Sequence, residues 1–71
     1  MIDAKFLILL GKKIRDIRLG KGMTQSQLAL QCKIEKGGMS RIEAGRVNIT
    51  VLTLKKIGLA LKTELNEFFS Q

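Results

Sequence analysis

No proline, histidine, tryptophan or tyrosine occurs in these 71 residues, and the aromatic side chains are Phe6, Phe68 and Phe69. Without proline no helix interior loses an amide donor to a ring. With plentiful aliphatics and so few aromatics the composition favours helices over sheets, and the chain reads as all-α. A single cysteine, Cys32, excludes an intramolecular disulfide, and the absence of histidine excludes a zinc site of the usual kind, so no metal or cofactor is expected. An enzyme is equally unsupported: there is no nucleophile motif and no Gly-rich phosphate loop between strand and helix, since Gly20, Gly22, Gly37 and Gly38 punctuate helices. Long apolar runs are missing too. The run Phe6 to Leu10 covers five residues, too few to span a bilayer, and the N-terminus lacks the basic-then-apolar layout of a signal peptide. No membrane partner is expected, and the compartment is cytoplasmic.

Acidic side chains are scarce: six against thirteen lysines and arginines, a net charge of +7. The excess is graded along the chain, +4 over residues 1–22, +2 over 23–46 and +1 over 47–71. Such a field on a small body attracts polyanions, nucleic acid being the commonest, although basic domains also bind membranes and acidic proteins. At this length residues 1–71 make one domain, near the size where one core just suffices, so a second domain with its own core is excluded. Stability must come from packing, helped by dimerisation.

Phe6, Leu7, Leu10, Ile14 and Ile17 recur at helical spacing, with Lys12, Lys13, Arg15 and Asp16 opposite, which predicts a first helix from residue 3 to Leu19, stopped by Gly20 and Gly22. Thr24 is an N-cap with Gln27 placed to close a capping box. Leu28, Ala29 and Cys32 then share one face of a short second helix. Met39 and Ile42, three apart, anchor a third helix and leave Lys36, Gly37, Ser40 and Arg41 outside; Gly45 ends it as a left-handed cap. Thr50 caps a fourth helix with the stripe Val51, Leu54, Ile57 and Leu61, and Thr63 a short fifth bearing Leu65, Phe68 and Phe69. Residues 24–44 thus read as helix, tight turn, and helix with a polar, basic outer face.

From Leu10-Gly11-Lys12-Lys13-Ile14-Arg15 through Thr24-Gln25-Ser26-Gln27-Leu28-Ala29 and Met39-Ser40-Arg41-Ile42-Glu43-Ala44-Gly45 to Phe69, the chain resembles the Xre-type, lambda-repressor-like helix-turn-helix regulators. The resemblance implies a compact five-helix DNA-binding domain. Its second and third helices form the motif, the third lies in the major groove of double-stranded DNA, and a homodimer reads a pseudo-palindrome. Two departures stand out. The turn position that is usually glycine is Lys33, which predicts a positive φ or a differently shaped turn. The recognition helix also opens with Gly37-Gly38, each costing about 1 kcal/mol of helix propensity relative to alanine.

Gln25 follows the Thr24 cap, where free amides favour a phosphate oxygen, and the resemblance implies the same contact. Lys36, Ser40 and Arg41 are candidates for base edges, Arg41 foremost because it sits mid-face and can donate to guanine O6 and N7. Gly37 can contribute only by close backbone approach. By resemblance Arg46 and Asn48 run along the phosphates, and Arg18 and Glu43 pair between helices one and three as a structural tie. Cys32 is an apolar filler. Leu52 and Leu59 lie off the buried stripe; with Leu65, Phe68 or Phe69 they either face a twofold partner or are covered by the last helix.

Two function classes follow. One is a sequence-specific transcriptional regulator of prokaryotic or phage type, acting by occlusion or by touching polymerase. It resembles both the restriction-modification controller proteins and the antitoxins, which differ by a neighbouring toxin. The other is a protein-interaction module that keeps the fold and has lost DNA binding.

Overall fold

Amphipathic spacing sets four α-helices in the computed structural model, which describes residues 4–69. They are α1 (Ala4–Gly20), α2 (Gln25–Cys32), α3 (Lys36–Glu43) and α4 (Val51–Leu61), followed by a 3₁₀ helix, Leu65–Phe68. The expected start of α1 at residue 3 lies outside the described residues, among which there is no strand. The fifth helix is therefore a 3₁₀ turn rather than an α-helix. Its short bonds, such as Phe69 N to Asn66 O at 3.2 Å, suit a segment too short to nucleate an α-helix. Its start also differs from expectation: Glu64, not Thr63, is the N-cap, in a box closed by Glu67. The Thr63 hydroxyl is engaged elsewhere, donating to the Leu61 carbonyl at 3.2 Å.

Each helix turns one apolar stripe inward, although α1, α2 and α4 also leave large apolar residues exposed. Leu10 and Ile14 of α1, Leu28, Ala29 and Cys32 of α2, Met39 and Ile42 of α3, Leu54, Ile57 and Leu61 of α4, and Phe68 form one buried cluster. Helix α3 packs on α1 and α2, α4 packs on α2, and the 3₁₀ turn rests on α1 and α4. The α1–α3 approach needs a glycine: a Cβ on Gly11 would lie 2.5 Å from the Ile42 carbonyl oxygen and 2.6 Å from that of Glu43. Burial pushes the Cys32 thiol up from its ordinary value against the opposing charge of Lys56, so it stays a protonated, inert part of the core.

Two expected positions differ. Val51, placed on the buried stripe, is 75% exposed, because it opens α4 where no other element yet covers the helix. Phe68, offered for a twofold surface, is 3% exposed and belongs to the core, while its neighbour Phe69 faces outward and stacks on Phe6 with centroids 6.0 Å apart.

Candidate nucleic-acid interface

The start of α2 is built by local hydrogen bonding. Thr24 Oγ1 accepts from the Gln27 amide at 3.0 Å, and Gln27 Oε1 accepts from the Thr24 amide at 2.8 Å. The box leaves the amides of Gln25 and Ser26 without a protein partner among the described residues, at the positive end of the helix where an anionic oxygen is favoured. At the other end Lys33 adopts φ 56° and ψ 42°, and its amide and that of Ile34 return to carbonyls of α2. A non-glycine residue thus fills the turn in the left-handed region, a conformation that costs about 1–2 kcal/mol for an L side chain. The tight turn then delivers α3 across α2.

Met39, Ile42 and Glu43 of α3 are buried, which fixes the helix rotation. Lys36, Gly37, Ser40 and Arg41 consequently share the exposed face, one turn apart in pairs. The orientation is locked by charge. Arg18 Nε donates to Glu43 Oε2 at 2.7 Å, Arg18 Nη2 to Glu43 Oε1 at 3.0 Å and Arg18 Nη1 to the Met23 carbonyl at 2.8 Å. Both residues are buried, so the bidentate pair ties α1 to α3 and fastens the chain ahead of α2. The hydrogen bonds that Arg18 donates to Glu43 raise its guanidinium above its ordinary value, outweighing the opposing effect of burial.

Gln25 carries a contact beyond the expected one: its Nε2 donates to Glu43 Oε1 at 3.1 Å. The side chain is thereby held by the ion pair, leaving the backbone amide and Oε1 as groups for an incoming partner. An open cleft of about 460 Å³ brings Gln25, Ser26, Lys36 and Ser40 together with Arg15. Arg15 was not singled out among the site candidates, yet it lies three residues before Arg18, one turn along the same side of α1, and that spacing is the signal that finds it. Arg41 does not line this cleft; it borders a second hollow with Gly38 and Asn48, between α3 and the loop that leads to α4. Arg46 is exposed and lines neither, although its amide donates to the Arg41 carbonyl at 2.9 Å and so continues the helix end. Leu52 and Leu59 are 66% and 72% exposed, and Leu65 is borderline at 37%.

A cationic cleft at a helix start beside an exposed polar helix face is an arrangement that receives a phosphate backbone and presents side chains to base edges. Residues 14–68 match the helix-turn-helix family HTH_3. The control protein C.BamHI of Bacillus amyloliquefaciens is 40% identical over 55 residues, which cover 76% of this chain and 68% of that relative. The HTH-type transcriptional regulator SlrR of Bacillus subtilis (strain 168) is 39% identical over 62 residues, covering 86% of this chain but 41% of its own length. Among solved structures, the restriction-modification controller protein C.AhdI from Aeromonas hydrophila superposes with a TM-score of 0.86 at 28% identity, covering 89% of this chain and 96% of that one.

Proposed function

The chain belongs to the helix-turn-helix family HTH_3, and on that premise we propose that it is a controller-type regulator whose homodimer reads a pseudo-palindromic operator through the major groove. It is a DNA-binding transcriptional regulator and not an enzyme. The observation that carries the finer reading is the rotation of α3: burial of Met39 and Ile42 turns Lys36, Ser40 and Arg41 outward, Lys36 and Ser40 into the Gln25 cleft and Arg41 on the side of Asn48.

In this reading Gln25, Arg46 and Asn48 hold phosphates and set the register. Lys36, Gly37, Ser40 and Arg41 meet the base edges, with Arg41 carrying most of the discrimination. Arg15 joins the phosphate group. Size supports pairing: the longest dimension is 30 Å, under the roughly 34 Å of one DNA turn, so one protomer addresses one half-site. Of the exposed apolar residues, Leu52, Leu59, Leu65 and Phe69 are assigned to the twofold contact. The whole of residues 1–71 acts as one such domain, in the cytoplasm, and operator occupancy works by occlusion or by a touch on polymerase. The likeness to control proteins favours this stand-alone role over that of an antitoxin, which needs a toxin as partner.

The test is a titration of the protein into DNA from upstream of its own gene and into a scrambled duplex, across a salt series. A preference above about 10³-fold with a steep loss of affinity in salt supports specific readout. Equal weak binding to both duplexes overturns it and points to a protein partner instead.

A further inference from the structure

Gly37 and Gly38 are the unusual opening of a recognition helix, and readout alone gives no reason for two residues without side chains there. The structure offers one. Residues 37 and 41 lie one turn apart on the same face, and side chains of a helix lean toward its N-terminus, so Arg41 extends back over the first turn. A Cβ on Gly37 would meet only Arg41, at 3.6 Å from Nη1; one on Gly38 would press first on Ile34 Cγ2 at 3.1 Å, with Arg41 Nη2 at 3.9 Å, so Gly38 also makes room for Ile34. The guanidinium straddles the two glycines. Among the described residues it pairs with no carboxylate. It also lies toward the positive end of α3, where the helix dipole does not favour a cation, so electrostatics do not explain its position.

We propose that Gly37 is a specificity-determining residue that acts by clearance: its bare backbone lets the Arg41 guanidinium lie along the first turn of α3, at the end of the helix that approaches base edges. A branched side chain at 37 occupies that channel and swings the guanidinium off the first turn. The two glycines then weaken the helix in exchange for reach. The proposal rests on the reading that Arg41 contacts a base.

Selection from a randomised duplex library tests it, using the wild type, Gly37→Val, Arg41→Ala and the double variant, with thermal melts alongside. Valine is at least as good a helix former as glycine, so a folded Gly37→Val is expected with its melting temperature kept or raised. Gly37→Val should lose about tenfold or more of the discrimination at the one base position that Arg41→Ala also relaxes, and should add nothing there once Arg41 is gone. Gly37→Ala, whose Cβ makes only ordinary contact, should give a smaller shift at that position. Relaxation at a different position, a uniform loss on all sequences, or independent effects in the double variant would overturn the clearance role while leaving Arg41 as a reader. No change of preference in Arg41→Ala would instead overturn the readout assignment, and the inference with it.

Discussion

The outer face of α3 and the outer side of α4 with the 3₁₀ turn are equally open to water, and they present opposite chemistry. On α3 the exposed positions are Lys36, Gly37, Ser40 and Arg41, with the apolar residues Met39 and Ile42 all inside. On α4 and beyond it Val51, Leu52, Leu59 and Phe69 stand more than half exposed, although the same helix has already buried Leu54, Ile57 and Leu61. A helix that needed only to cover the core would carry polar residues in those places. Under the proposed function the contrast separates two tasks in one small body: a polar, cationic face for a polyanion and an apolar face for a second copy of the chain. The buried pair of Arg18 and Glu43 belongs to the first, because it fixes the rotation of α3 and holds Gln25.

The largest effect is expected where the two tasks share a foundation. Glu43→Ala leaves the buried Arg18 guanidinium without its carboxylate, held only by the Met23 carbonyl, and removes the Gln25 acceptor; it should cost about 3–5 kcal/mol in urea denaturation and abolish DNA binding with it. Next, Leu52→Glu with Leu59→Glu should leave the protomer folded, because both side chains are exposed in it, and should remove the concentration dependence of the melting temperature along with the share of stability that pairing adds. It should also yield monomers in sedimentation and lower the affinity for a two-half-site duplex by about 10²-fold through lost avidity. Arg41→Ala should cost about 1–3 kcal/mol on the preferred duplex and relax one base position, read by competition against single-base variants. The smallest change belongs to Arg15→Ala, which should weaken binding evenly on all sequences and reduce the slope of log affinity against log salt by about 1. A sequence-dependent loss from Arg15→Ala would move that residue from the phosphates to the bases and blur the division within the polar face.

Much of the fold is legible in the chain because its signals are local. Thr24 with Gln27 and Thr50 at the head of α4 mark helix starts through side chains that reach two or three residues, and both caps form. At Lys33 the sequence leaves a positive φ or a differently shaped turn, and the backbone takes the first, with φ 56°. What was not legible depends on distant packing. Val51 fits the periodic stripe, yet among the described residues it stays exposed at the head of α4 while Leu54, three residues on, is buried. Phe68 and Phe69 are adjacent in a segment too short for periodicity, so only contact with α1 and α4 decides which is core. The end cap failed for a different reason: Thr63 and Glu64 are neighbours that can both cap, and the choice falls to Glu64 once Glu67 closes the box. At the interface, side-chain type and helical spacing find Lys36, Ser40 and Arg41. The bond from Gln25 to Glu43 and the lie of Arg41 over two glycines require coordinates.

The central claim is that the polar face of α3 reads DNA independently of the apolar face that pairs two copies. The most direct measurement compares the wild type with the Leu52→Glu, Leu59→Glu variant on a duplex selected from a random library and on its isolated half-site, following stoichiometry by sedimentation and base preference by competition. The account predicts two wild-type molecules on the full duplex, and a monomeric variant that binds the half-site with the base preference intact. A variant that remains dimeric, or a monomer that has lost its preference on the half-site, would contradict it.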